Sequence, residues 1–199
     1  METSCQLYVD PVCPFAWIAT RWIRETTSLR PDVEVELHLM SIAVLNEGRE
    51  LNEWYRDFND RSWSPVQVAA AVDAAGRFEE FYEAFGRHAH LDRRDDWDAV
   101  VVEVLEELGL PVALAIEAPE DPANEKALRE THAHLNEITG LEAGTPTLVL
   151  NGVATFGPVL RAVPRGEHAL ALYDAMSLLS TVPALTEIKR GDDRPLSRV

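Results

Sequence analysis

The chain opens with a short apolar segment, Gln6-Leu7-Tyr8-Val9-Asp10, closed by Pro11, a residue with no N–H to continue a ladder. This predicts a buried strand. Pro14 then opens a stretch from Phe15 to Ser28 in which Ala16, Ile18, Ala19, Trp22 and Ile23 share one helical face, with proline in the first turn where its missing donor is not needed. From Val33 to Ser41 the period changes to two. Val33, Val35, Leu37 and Leu39 alternate with Glu34, Glu36, His38 and Met40, the pattern of a second strand.

From Ile42 to about Leu141 the pattern is helical. Segments 65–75, 78–88, 96–108, 111–117 and 124–139 each carry apolar residues at three- and four-residue spacing. Gly109-Leu110-Pro111 and Pro119-Glu120-Asp121-Pro122 punctuate them. The β period returns in Thr147-Leu148-Val149-Leu150 and Val153-Ala154-Thr155-Phe156, joined by Asn151-Gly152, two residues that tolerate positive φ and so signal a hairpin. Gly157-Pro158 ends that pair. Gly166 to Leu179 reads as a last amphipathic helix, and Lys189 to Val199 as a polar tail expected to fray. The order is β-α-β, about a hundred residues of helix, then β-hairpin and α. It fits an α/β thioredoxin-like fold with a large all-helical insertion between its βαβ and ββα halves. The expected division is a discontinuous domain of residues 1–41 and 142–185, an insertion of 42–141 and a C-terminal tail of 186–199.

Composition narrows the class. With 46% hydrophobic and 26% charged residues, the 199-residue chain is ordinary for a soluble globular protein. Its net charge of −16 repels phosphate backbones and anionic lipid, which excludes nucleic acid and membrane surfaces as expected partners. The amino terminus has no basic segment followed by an apolar run, and no stretch approaches the roughly 18 apolar residues of a membrane span, so a cytoplasmic protein is expected. Two cysteines, Cys5 and Cys13, are too few for a disulfide-built scaffold. Lys126 and Lys189 are the only lysines among 18 basic residues, a bias that suggests a high-GC genome.

Cys13 falls where the first strand meets the first helix, and unpaired N–H groups at a helix start favour an anion such as a thiolate. Cysteines so placed have pKa values lowered from about 8.5 into the range of roughly 3.5 to 7.5, so a reactive thiolate is expected. Gly144-Thr145-Pro146-Thr147 precedes the third strand, and a proline at a strand start often marks a cis bond. Cys5 is read as preceding the first strand and Cys13 as following it, too far apart for a disulfide.

Asp10-Pro11-Val12-Cys13-Pro14-Phe15-Ala16-Trp17, the helical insertion and Gly144-Thr145-Pro146-Thr147 with Asn151-Gly152 resemble the DsbA-like thioredoxin superfamily. The runs Met40-Ser41-Ile42-Ala43-Val44-Leu45-Asn46-Glu47 and Phe156-Gly157-Pro158-Val159-Leu160 are similar to the actinobacterial mycothiol-dependent nitroreductase family. The resemblance implies a Cys13 nucleophile that attacks a disulfide or accepts a low-molecular-weight thiol, supported by Pro14, Phe15, Ala16, Trp17 and the Thr145-Pro146 bond. It further implies an insertion that covers the thiol, with Asn46, Tyr55, Trp63, His90 and Gly144 as substrate- or thiol-binding residues. No tightly bound cofactor is implied; mycothiol is the expected co-substrate, ahead of glutathione on the high-GC bias. The partners are then a small thiol and a disulfide or electrophilic substrate, for a monomer or homodimer.

The family pattern starts its helix Cys-x-x-Cys, whereas position 16 here is Ala16. A lone thiol cannot resolve its own mixed disulfide, so a monothiol cycle is expected. Six histidines are present, but His88 and His90, like His132 and His134, are two apart, a spacing that does not converge on a helix, so no metal site is expected. Of the five tryptophans most are expected in the core, while Trp63 with Tyr55 and Asn46 offers a surface on which a flat electrophile could stack. Glu79-Glu80 and Glu106-Glu107 read as solvated helix faces. Two other readings share the architecture: a kappa-type glutathione transferase or 2-hydroxychromene-2-carboxylate isomerase, in which a serine near the equivalent turn activates bound glutathione without forming a disulfide, and a non-redox binding protein.

Overall fold

The computed structural model describes residues 3–140, 144–191 and 195–197. Four strands form one mixed sheet in the order β2-β1-β3-β4: β1 (Thr3–Val9), β2 (Val33–Leu39), β3 (Thr147–Leu150) and β4 (Val153–Phe156). β1 runs parallel to β2, with Leu7 opposite Leu37, and antiparallel to β3, with Leu7 also opposite Leu148. β3 and β4 are the expected hairpin, and Asn151 and Gly152 both take positive φ, 54° and 77°. β1 begins earlier than its apolar pattern suggests because β2 offers it partners back to Val33, and Asp10 leaves the ladder. Cys5 therefore lies inside β1, opposite Val35 and Leu150, rather than ahead of it.

The alternation of side chains across the sheet assigns each face its cover. Cys5, Leu7 and Val9 join Leu37, Leu39, Leu148 and Leu150 in the main core against helix α1 (Pro14–Leu29), from which Trp17, Ile18, Trp22 and Ile23 are fully buried. Burying an Ile such as Ile18 contributes roughly 1.5–3 kcal/mol. On the other face Tyr8, Met40 and Val149 pack with Leu135 of a later helix, and Tyr8 stacks on His38.

Between β2 and β3 lie α2 (Ile42–Leu45), α3 (Glu53–Ala74), α4 (Phe78–Gly86), a π-helical turn (Arg87–Leu91), α5 (Trp97–Glu107), α6 (Leu114–Glu120) and α7 (Pro122–Thr139). The last helix, α8 (Glu167–Leu179), packs back on α1, and Trp22 donates its indole N–H to the Ala169 carbonyl at 3.0 Å. Residues from the sheet, α1 and these helices belong to one continuous core. The expected junction at 141/142 lies outside the described residues. In the tail, residues 192–194 and 198–199 also lie outside them. Leu196 packs against the core and Ser197 donates its N–H to the Arg161 carbonyl at 2.7 Å, so this part is docked where a frayed end was expected.

The largest departure from the sequence pattern is α3, which starts at Glu53, not Pro65, and carries Pro65 in its interior. An interior proline costs about 3 kcal/mol through its lost N–H bond and ring clash. Here Asn52 caps the helix through Tyr55 N–H at 2.9 Å, and Tyr55, Phe58 and Trp54 stack with one another while Phe58 meets Trp97 edge-on. Those contacts, and packing against α2, α6 and α7, outweigh the local penalty. α6 is likewise displaced from 111–117, because Pro111 and Val112 form the turn that precedes it.

Gly86, at the end of α4, lets that helix touch α1: a Cβ there would sit 2.1 Å from the Trp17 ring. Gly86→Ala should therefore destabilise the protein by about 1–3 kcal/mol through overpacking. In a thermal melt this corresponds to a fall of several degrees for a chain of this size. An unchanged midpoint would show that the indole is free to move aside.

Candidate active site

The end of β1 and the start of α1 are joined by a turn in which Cys13 N–H donates to the Asp10 carbonyl at 3.0 Å. Cys13 is the N-cap of α1 and Pro14 its first helical residue, so the sulfur sits where the Ala16 N–H needs an acceptor, 3.4 Å away. On its other side the thiol donates to the Thr145 carbonyl at 3.7 Å. The Thr145–Pro146 peptide bond is cis, and the Thr145 hydroxyl accepts the Asp10 N–H at 3.2 Å, which fixes this loop against the end of β1. The loop is closed further by Gly157 N–H on the Pro146 carbonyl at 2.8 Å. Gly144 is packed under Phe156, whose ring would lie 2.6 Å from an added Cβ.

Two features of this turn depart from the sequence reading. Cys13 is 3% exposed, and its thiol is pushed up to about 12: burial is the largest cause, with the Asp10 carboxylate adding and the N–H groups of Ala16 and Phe15 opposing. The expected low pKa of a helix-start cysteine is thus reversed, because desolvation of the anion outweighs the helix terminus. A thiol that donates to a carbonyl is in keeping with the protonated form.

The second is Asp10, which the sequence placed in a motif but not among the site residues. It is fully buried, and its carboxylate accepts the N–H of Val12 at 2.8 Å and of Ile42 at 2.6 Å. Burial raises its pKa to about 7 against those two hydrogen bonds. An aspartate that must leave its strand just ahead of a proline was the available signal; that α2 would bring it a second donor was not legible locally.

The remaining predicted residues fall into three groups. His90 lies on the π-helical turn, and its Nε2 is 2.8 Å from the Pro11 carbonyl with its ring 5.6 Å from that of Trp17. It thus reaches the Cys13 turn from the helical segment. Asn46, the C-cap of α2, is buried and donates to the Tyr55 hydroxyl at 3.4 Å, while α2 itself begins at the Asp10 carboxylate. Trp63 stands two turns along α3 from Tyr55, with the Arg129 guanidinium 5.8 Å from its ring. Ala16 is fully buried and its carbonyl accepts the Thr20 hydroxyl at 2.9 Å, which is 3.1 Å from the hydroxyl of Tyr82. Phe15 packs half-buried against the core. Cys5 and Cys13 are both unpaired. No group of three or more metal-ligating side chains exists among the described residues, and no helix among them is long and apolar enough to cross a membrane.

A family model described as Rv2466c-like, mycothiol-dependent nitroreductase Rv2466c, matches residues 12–190. The uncharacterized protein Rv2286c of Mycobacterium tuberculosis is 28% identical over 193 residues, covering 94% of this chain and 82% of that protein. Among solved structures, a probable DsbA oxidoreductase from Streptomyces coelicolor superposes with a TM-score of 0.61 at 16% identity, over 96% of this chain and 94% of that one. The cytosolic disulfide reductase DsbM from Pseudomonas aeruginosa, solved with GSH, gives 0.54 at 20% identity, over 87% and 98%. These neighbours establish a DsbA-like thioredoxin fold.

The buried pair gives two expectations. Alkylation of Cys13 by iodoacetamide should be slow at pH 7 and rise tenfold per pH unit without a plateau below about pH 10; Asp10→Asn should speed it above pH 7, where Asp10 is ionised, and not below. A plateau near pH 7 would show a pre-formed thiolate. Between about pH 4 and 7, Asp10 is protonated in the folded chain and ionised in the unfolded one. Stability should therefore fall as pH rises through that window, by on the order of 4 kcal/mol from this group. Urea titrations at several pH values should show that slope in the wild type and its loss in Asp10→Asn; parallel curves would contradict it.

Proposed function

Because this chain belongs to the Rv2466c-like family of mycothiol-dependent nitroreductases, we propose that it is a monothiol oxidoreductase in which Cys13 is the nucleophile and mycothiol the partner thiol. The observation that carries this reading is the placement of the Cys13 sulfur between the Ala16 N–H and the carbonyl of the cis Thr145–Pro146 segment. Cys13 thiolate attacks one sulfur of a disulfide, forming a mixed disulfide and releasing the other half as a thiolate. Mycothiol thiolate then attacks the half held on Cys13, and Cys13 leaves as thiolate. With an electrophilic substrate, Cys13 and one mycothiol give up two electrons and two protons and become a mixed disulfide, which a second mycothiol reduces.

The second step needs an external thiol because Ala16 occupies the position of a resolving cysteine. The resting thiol must first lose its proton and be exposed. Asp10 is proposed to set the ease of that step, since its charge disfavours a thiolate at Cys13 and its pKa lies near neutrality, so that the neutral carboxyl favours ionisation of the thiol. The proposed division of labour gives the chemistry to residues 1–41 and 142–185 and the cover to 42–141. Two unpaired cysteines suit a reducing, cytoplasmic setting.

Intact mass after incubation with oxidised mycothiol tests the reading. One adduct per chain is expected on Cys13, none in Cys13→Ser, and release by excess mycothiol. A wild-type chain that stays unmodified at pH 8 sinks the proposal. Ala16→Cys should make the adduct transient, replacing it with an internal disulfide to Cys13, and should raise turnover at limiting thiol about tenfold or more.

A further inference from the structure

Tyr55, Asn59 and Trp63 are spaced by four along α3 and so share one side of the helix. Both ends of that strip are held: Tyr55 by the Asn46 side chain, Trp63 by the Arg129 guanidinium. Arg129 in turn makes a two-pronged ion pair with Glu47, the residue after Asn46, at 2.6 and 2.9 Å, so α2 and α7 are strapped together on this side of α3. Between the two held ends lies Asn59. It is 6% exposed, and its Oδ1 is removed from solvent with no hydrogen-bond partner among the described residues.

A buried carboxamide oxygen without a donor costs stability, and a Leu of similar size would not incur that cost. Such a group is placed to accept a hydrogen bond from something that enters the site. The strip spans about 12 Å at 1.5 Å per residue, with an aromatic ring at each end and an amide acceptor between them. α2 also links this strip to the chemistry, since its first N–H is on the Asp10 carboxylate in the Cys13 turn.

We infer that Asn59 is the specificity ligand for the hydroxyl-bearing glycoside part of the thiol co-substrate, accepting an O–H from it while the thiol end reaches Cys13. This rests on the monothiol reading above. Mycothiol is an N-acetylcysteine amide of a two-ring amino-sugar–inositol unit, and that unit is what Asn59 would recognise; N-acetylcysteine has the same thiol without it.

Asn59→Leu and the smaller Asn59→Ala, compared with wild type using both thiols, test the assignment. KM for mycothiol should rise about tenfold while kcat at saturating mycothiol and the second-order rate with N-acetylcysteine stay within about twofold. The thermal midpoint of Asn59→Leu should match or exceed that of wild type, the mark of a group kept for binding at the expense of packing. Unchanged KM for mycothiol in both variants, or an equal loss with both thiols, overturns the role of Asn59 while leaving the monothiol cycle intact. A wild type that reacts with neither thiol overturns the cycle and this assignment with it.

Discussion

The site depends on the dryness of one turn. At the end of the central strand a thiol and a carboxyl, Cys13 and Asp10, share three residues of chain and almost no solvent. Either anion alone would be costly there, and the Asp10 charge raises the cost of a thiolate at Cys13. The structure meets this with directed N–H groups: Ala16 on the sulfur, Val12 and Ile42 on the carboxylate. What they provide is a stable resting site in which the thiol is protonated and not freely reactive, although the residue stands at a helix start.

These hydrogen bonds, together with the two that Thr145 accepts from Cys13 and Asp10, tie the turn to different parts of the chain. Ala16 is in α1, Ile42 opens α2, and the Thr145 carbonyl and hydroxyl come from the loop before β3. His90 approaches Pro11 from the π-helical turn, and Gly86 admits the Trp17 ring beneath it. The Cys13 turn is thus in contact with α1, α2, the π-helical turn and the loop before β3. Irregular geometry concentrates at this junction: a π turn where a regular helix pattern continues to His88, and a glycine where α4 meets α1. π turns occur frequently at functional sites.

The sequence by itself determined the order of elements, the hairpin at Asn151-Gly152 and the position of Cys13 at the head of α1. These rest on short-range physics: a period of two or 3.6, residues that tolerate positive φ, and proline in a first turn. The family resemblance pointed to further residues, and in the structure Asn46 meets Tyr55 and His90 meets the Cys13 turn. Only the tertiary structure decided the start of α3 at Glu53, where packing of Tyr55, Phe58 and Trp97 outweighs a local proline penalty. It alone decided the protonation of Cys13, because desolvation depends on what every other segment places around the sulfur, and a helix-start motif carries no record of that. The same holds for Asp10 and for Asn59, whose significance lies in the donor one gains from α2 and the donor the other lacks.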